Sequence, residues 1–270
     1  MSTEAIGIDI GGTGIKGALV DVDSGELLSE RVKLATPEGG KPDDISKTVI
    51  DVISQIPGLT ESTPVGVCFP AVVQHGTTMS AANVSKDWIG LAAEDLFEKA
   101  LGRDITFVND ADAAGFAETQ FGAAKGRNGL VLMTTLGTGI GSAIIYDGRL
   151  VPNAELGHLE LDGHSDYEKV AAYSAMERED LDWKHWAKRL QKYYSYLERL
   201  FSPDLFIVGG GVSKHADKFL PLLDLKTEIV PAQFRNNAGI LGCAALAAHA
   251  AGTRTTVHAE TAVDRTSNPD

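Results

Sequence analysis

Asn109-Asp110-Ala111-Asp112 stands where the apolar run Ile105–Val108 gives way to small residues. A carboxylate at the exit of a strand and the entrance of a helix can accept the proton of a substrate hydroxyl. Asp110 is the candidate base, and Asn109 beside it can hold a neighbouring hydroxyl as donor and acceptor. Helix entrances also favour Asp as a cap, so one of these acids can equally serve the helix alone. Phosphoryl transfer fits such a site, because it asks for an oriented nucleophile, an acceptor for its proton and positive charge on the transferred group.

The partner chemistry lies in the run Ile6–Asp21, IGIDIGGTGIKGALVD. Gly11, Gly12 and Gly14 separate two apolar stretches, the pattern of a β-hairpin with a glycine-rich turn. Backbone amides at such a turn can approach an anion closely, with Thr13 and Lys16 supplying a hydroxyl and a cation. Asp9, at the strand end, is placed to address a hydrated magnesium ion. The P-loop spacing is absent, and a strand-like segment follows Gly17 where a dinucleotide motif needs a helix. Glycines and an acid also make ordinary hairpin turns, so one turn alone decides little.

A second turn, TLGTGIGS at Thr135–Ser142, repeats the arrangement with Gly137, Thr138 and Gly139 between apolar strands. Two such turns can clamp a phosphate chain from both sides. A third cluster, Gly209, Gly210 and Gly211, ends a strand and opens a helix; its small residues leave room for a flat nucleotide base, or simply make a turn. Asn83, Glu155, His158 and Glu168 are polar groups suited to a polyol, although His158 taken alone reads more readily as a hydrogen-bonded structural histidine than as a ligand. No cysteine lies near it, which argues against a zinc site.

These residues need a frame. Strands are expected at 5–10, 15–22, 26–34, 64–69, 104–110, 129–136, 140–146 and 204–211, with helices near 43–55, 92–101, 111–121 and 183–201. Alternation of this kind implies an α/β chain with sites at strand ends. Trp186, Leu190, Tyr193, Leu197 and Leu200 recur at helical spacing and read as a core stripe. The chain of 270 residues can hold two cores, and its composition (43% hydrophobic, 23% charged) is that of a globular protein. No apolar run is long enough to cross a membrane, and no signal peptide is read at the N-terminus. The two cysteines, Cys68 and Cys243, sit in apolar surroundings and suggest a reducing, cytoplasmic compartment. A net charge of −13 argues against general nucleic-acid binding, so a polyanionic substrate must be met by a local basic track or metal. Lys16, Lys86, Lys125, Arg127 and Lys214 are the candidates for that track.

Taken in order, IGIDIGGTGIKGALVD, FVNDADAA, TLGTGIGSA, ELGH and VGGGVSK resemble the sugar kinases of the ROK (repressor, open reading frame, kinase) family, over about residues 5–250. The resemblance implies a two-lobed actin-like ATPase (ribonuclease H-like) α/β fold with an active-site cleft between the lobes. The lobes are expected at 1–109 and 110–250, with a C-terminal helix near 236–250 able to pack back on the first and a disordered tail over 251–270. It implies Asp110 as the base and Asn83, Asn109, Glu155, His158 and Glu168 as hexose contacts. Family members typically carry a cysteine-rich zinc loop after the ELGH histidine. Here that interval reads LELDGHSDY, so no zinc is expected and the assignment of Glu168 crosses a shortened loop.

That shortening, with NVSKDWIG at 83–90, is similar to the family's polyphosphate-using glucokinases and glucomannokinases. The implied reaction is phosphorylation of the 6-hydroxyl of glucose, and of mannose, from polyphosphate or ATP with Mg2+, by a monomer or homodimer. One alternative is an ATP-only glucokinase of the same family; two of other classes are a sugar-sensing regulator without catalysis and a partner-binding actin-like ATPase. The first strand's early start leaves no room for a DNA-binding segment, and the polyol constellation disfavours the second.

Overall fold

The computed structural model describes residues 3–264, with side chains through 252. The chain forms two compact units, one running to Val108 and resumed from Cys243, the other spanning Asn109–Gly242.

The first unit contains β1 (Glu4–Ile10), β2 (Gly14–Asp21), β3 (Glu26–Leu27), β4 (Val32–Ala35), α1 (Pro42–Ser54), β5 (Val65–Phe69), β6 (Val73–Gln74), β7 (Thr77–Thr78), β8 (Leu91–Ala92), α2 (Ala93–Leu101) and the strand β9 (Thr106–Asn109) that leads out of it. Its main sheet runs β3-β2-β1-β5-β9, with β4 also paired to β2. β1 and β2 form the expected antiparallel hairpin, and β5 lies parallel to β1. Ile6, Ile8 and Ile10 of β1 meet Ile45, Val49 and Val52 of α1 in one core. The strand expected over 26–34 is two short ones instead. From Val20↔Leu27 to Gly17↔Val32, three steps along β2 face five on its partner. At that bulge Leu19 N donates to Ser29 Oγ, so a side chain replaces a rung of the ladder.

The second unit contains α3 (Asp110–Gln120), β10 (Leu130–Leu136), β11 (Ile140–Tyr146), β12 (Arg149–Val151), α4 (Glu168–Ala171), α5 (Tyr173–Arg178), α6 (Trp183–Phe201), β13 (Leu205–Gly209), α7 (Ala216–Phe219), β14 (Glu228–Pro231) and the start of α8 (Ala238–Asp264). Its sheet runs β12-β11-β10-β13-β14. The β10–β11 hairpin is antiparallel and β13 is parallel to β10. Both sheets therefore carry one plan: a hairpin with a glycine turn, then a parallel strand beside the hairpin's first strand.

Helix α3 is buried nearly all round, which its run of alanines permits. A Cβ on Gly115 would stand 2.5 Å from that of Ala143 on β11, and one on Gly242 of α8 only 1.7 Å from Ala113 O. In the first unit a Cβ on Gly66 would come within 1.9 Å of Cys243 O, so α8 lies directly on β5 there. α6 occupies the expected span with Asp182 as its cap, accepting from His185 N at 2.7 Å. Its buried stripe is Trp186, Leu190, Tyr193, Tyr194 and Leu197; Leu200, expected in the stripe, is 52% exposed because the helix face has turned outward by its last turn. The tail expected to be structureless from 251 is helical to Asp264, since α8 continues through its alanine- and threonine-rich sequence; residues 265–270 lie outside the described residues. Among the described residues no helix is long and apolar enough to cross a membrane.

Candidate active site

In the first unit the glycine turn closes through Gly11 N donating to Gly14 O at 3.0 Å. Thr36 fastens it from β4's end, its hydroxyl donating to Gly11 O at 2.5 Å. Asp9 and Lys16 face each other across the hairpin register, and Lys16 Nζ lies 3.1 Å from Asp9 Oδ2. The side chains are 21% and 17% exposed, so the ammonium neutralises the acid in partly screened surroundings. Sequence reasoning gave the two separate tasks; the fold makes them a pair, because opposed positions on a hairpin place their side chains side by side. Cys68 lies behind them, its Sγ 3.7 Å from Asp9 Oδ1.

Asn83 covers the turn: a Cβ on Gly12 would be 3.1 Å from that of Asn83. Asn83 has a φ of 60°, a left-handed geometry that asparagine tolerates. The loop carrying it is held through Gly40, whose carbonyl accepts from Trp88 Nε1 at 2.9 Å and Ser85 N at 3.2 Å. Gly12, Thr36, Gly39, Gly40 and Asn83 line a hollow of about 370 Å3. Thr13 stands exposed at the tip of the turn.

In the second unit Asn109, rather than either acid, caps α3. Its Oδ1 accepts from Ala111 N at 2.8 Å and Asp112 N at 3.0 Å. The amide oxygen of Asn109 is thus engaged by the helix end. Asp110 occupies the first helical position and is half-buried.

The second glycine turn closes through Gly137 N donating to Gly139 O at 3.0 Å. Glu168 sits on it, accepting from Ile140 N at 2.9 Å through Oε2, and a Cβ on Gly139 would stand 2.4 Å from that oxygen. Ser174 braces the same turn, its N donating to Gly137 O and its hydroxyl to Thr138 O at 2.6 Å. Neither contact is readable from sequence spacing, because each crosses the segment that this chain has shortened. Gly210 follows β13 with a φ of +81°, and a Cβ there would lie 2.4 Å from Leu136 O. Gly209 packs against Met133, while Gly211 faces open space. The segment after it is a tight turn at Gly211–His215 before the four-residue α7, not the regular helix expected.

Glu155 and His158 lie together, with His158 Nε2 3.6 Å from Glu155 Oε2. His158 Nδ1 is 3.0 Å from Asp166 Oδ1, and Lys169 Nζ is 2.5 Å from the other oxygen of Asp166. Those two hydrogen bonds hold the Asp166 carboxyl below its usual range. Burial pushes Glu155 upward and the Glu168 charge adds to it, against the opposing pull of His158. Asp112 is 2% exposed and burial raises its pKa to about 7, helped by Glu155 and Asp110 and opposed by a hydrogen bond from Asn153 N. Asp166 was not singled out from the sequence, and Asp112 was read there only as a possible helix cap. The available signal for Asp112 was an acid among the alanines that open α3.

The folded Asp112 holds its proton well above the ordinary carboxylate pKa. Between those values the native state binds more protons than the unfolded chain, so stability falls as pH rises. Asp112→Asn removes that slope: its melting temperature relative to wild type should be higher by on the order of 5 °C near pH 8 than near pH 5, read by thermal melts. A constant difference at both pH values would contradict the raised pKa.

Of the five candidate track cations, Lys16 is paired with Asp9, Lys86 Nζ donates to Ala81 O at 2.9 Å, and Arg127 lies 2.9 Å from Glu228. No group of three or more metal-ligating side chains occurs among the described residues.

Two α/β units built on one hairpin-plus-parallel-strand plan, each with a glycine turn, make this an actin-like ATPase fold. The chain belongs to the ROK family, whose model matches residues 5–173. It is similar to the polyphosphate glucokinase of Mycobacterium tuberculosis, 48% identical over 88% of this chain and 89% of that protein. The crystal structure of the inorganic polyphosphate/ATP-glucomannokinase of Arthrobacter sp. strain KM is 52% identical, with a TM-score of 0.85 over 93% of this chain and 99% of that one. A ROK family glucokinase of Streptomyces griseus, solved in complex with glucose and AMPPNP, is 25% identical with a TM-score of 0.75, covering 90% of this chain and 99% of that one.

Proposed function

We propose that this chain transfers a phosphoryl group to the 6-hydroxyl of glucose, and also of mannose, from inorganic polyphosphate or ATP. The observation that carries the catalytic part is the cap: Asn109 serves the helix end, so Asp110 is not needed there. In this reading Asp110 takes the proton of the 6-hydroxyl as its oxygen bonds to the terminal phosphorus and the bridging P–O bond to the donor breaks. Glu155, His158 and Glu168, with Asn83 and Asn109, hold the sugar hydroxyls. The amides of Gly11–Gly14 and Gly137–Gly139, with Lys16 and the Thr13 and Thr138 hydroxyls, hold the donor phosphates. Gly209–Gly211 leaves space for a base when the donor is ATP.

One carboxylate beside a phosphate-holding turn suits a Mg2+ ion that arrives with the donor and keeps much of its water. Asp9 would hold it, with Lys16 close enough to exchange partners, and the ion would supply charge neutralisation on the transferred group. Cys68 and Cys243 are both buried as thiols rather than joined in a disulfide, which supports a cytoplasmic setting. The polyphosphate part rests on the similarity to enzymes named for that donor.

The test crosses glucose and mannose with ATP and polyphosphate in a coupled assay. Glucose with polyphosphate should give product, and mannose should follow; activity with ATP alone would overturn the polyphosphate reading. If the polymer is held electrostatically, added salt should raise the KM for polyphosphate more steeply than that for ATP. Equal salt dependence would argue against a dedicated track.

A further inference from the structure

The loop Pro152–Glu155 is anchored from both sides by two buried polar side chains. Asp112 and Ser142 are each 2% exposed. Asp112 Oδ2 accepts from Asn153 N at 2.8 Å. Ser142 Oγ donates to Ala154 O at 2.6 Å and accepts from Leu156 N at 2.9 Å. Ser142 of β11 therefore fixes the peptide groups immediately before and after Glu155, and Asp112 of α3 fixes the Pro152–Asn153 peptide that leads into them. Asn153 has a φ of 62°, so the loop turns sharply just where Asp112 grips it.

Asp112 is an unusual anchor. Its other oxygen, Oδ1, is buried without a hydrogen-bond partner. Glu118, on the same helix and fully buried, satisfies both its oxygens with the amides of Ala123, Gln233 and Phe234. An unpartnered buried carboxylate oxygen is costly when charged and much less so when it carries a proton. The groups facing Asp112 are acids, Asp110 on its own helix and Glu155 on the loop, and both oppose its ionisation.

We infer that Asp112 and Ser142 are positioning residues that set hexose affinity by fixing the backbone on either side of Glu155, and that Asp112 does so as a neutral acid. The inference rests on the proposed hexose role of Glu155. It separates two tasks within one helix: Asp110 at its first position addresses the reacting hydroxyl, and Asp112 two residues later addresses the loop that holds the sugar. A neutral anchor also spares Asp110 and Glu155 a third negative charge.

The test uses the full chain with Ser142→Ala, Asp112→Ala and Asp112→Asn. Loss of one buried hydrogen bond in Asp112→Ala, and of two in Ser142→Ala, should raise the glucose KM, and the glucose Kd by calorimetry, about tenfold or more, while the donor KM moves less than twofold. Asp112→Asn keeps an acceptor and no charge, so it should bind glucose as wild type does. Donor and glucose KM rising together, or an Asp112→Asn as weak as the alanine variant, would overturn the inference. Hydrogen exchange supplies a readout independent of sugar: the Asn153 amide should exchange faster in Asp112→Ala, and the Leu156 amide in Ser142→Ala. Unchanged exchange would overturn the anchoring itself. Faster exchange in a chain that binds no glucose would instead sink the hexose reading of Glu155 and leave the anchoring standing.

Discussion

Asp110→Asn should fold, bind glucose and lose about a hundredfold or more in kcat. The substitution keeps size and shape and removes only the ability to accept a proton. Asp110 is at the first position of α3, where a negative charge gains on the order of 0.3–1 kcal/mol from the helix dipole. That is small against the stability of a two-unit chain, and the Asn109 cap is untouched. The hexose contacts proposed at Glu155, His158 and Glu168 are likewise unaltered, so glucose binding survives. Steady-state kinetics beside a glucose titration separates the two effects. Near-normal turnover would remove Asp110 from the role of base. Asp112 could not take it over, since it is buried and already holds Asn153 N.

Gly242→Ala should destabilise the chain by about 3 kcal/mol or more, the upper end of over-packing costs. Alanine is the better helix former by about 1 kcal/mol, so propensity alone predicts the opposite sign. Packing wins because the added Cβ would stand 1.7 Å from Ala113 O and 2.4 Å from its carbonyl carbon. Those are backbone atoms of α3 and cannot rotate aside, so the two helices must separate. α3 carries Asp110 and Asp112 and is capped by Asn109, which means that activity should fall with stability. Thermal or urea unfolding measures the first loss. A melting temperature equal to or above that of wild type would refute the tight α3–α8 packing.

Much of this was legible in the sequence because the signals were local. Apolar residues on both sides of Gly11–Gly14 and Gly137–Gly139 announced two hairpins, and both formed as antiparallel pairs. The apolar spacing of Trp186, Leu190, Tyr193 and Leu197 marked α6 at the observed ends. The site was harder wherever it depended on contacts between distant segments. Glu168 reaches Ile140 N, Thr36 reaches Gly11 O, and Asp166 orients His158, and no periodicity encodes such pairs. The same holds for Asp112: a helical acid looks like a cap until Asn109 takes the cap and burial closes around it. Leu200 failed for a related reason, since a helical stripe continues in sequence after the surface it packs against has ended.

The most direct test of the account is to incubate the purified chain with glucose, Mg2+ and nucleotide-free polyphosphate and to follow glucose 6-phosphate. The account predicts product formation with wild type and a rate at least about a hundredfold lower with Asp110→Asn. No glucose 6-phosphate from polyphosphate, by a protein that is folded, would contradict it.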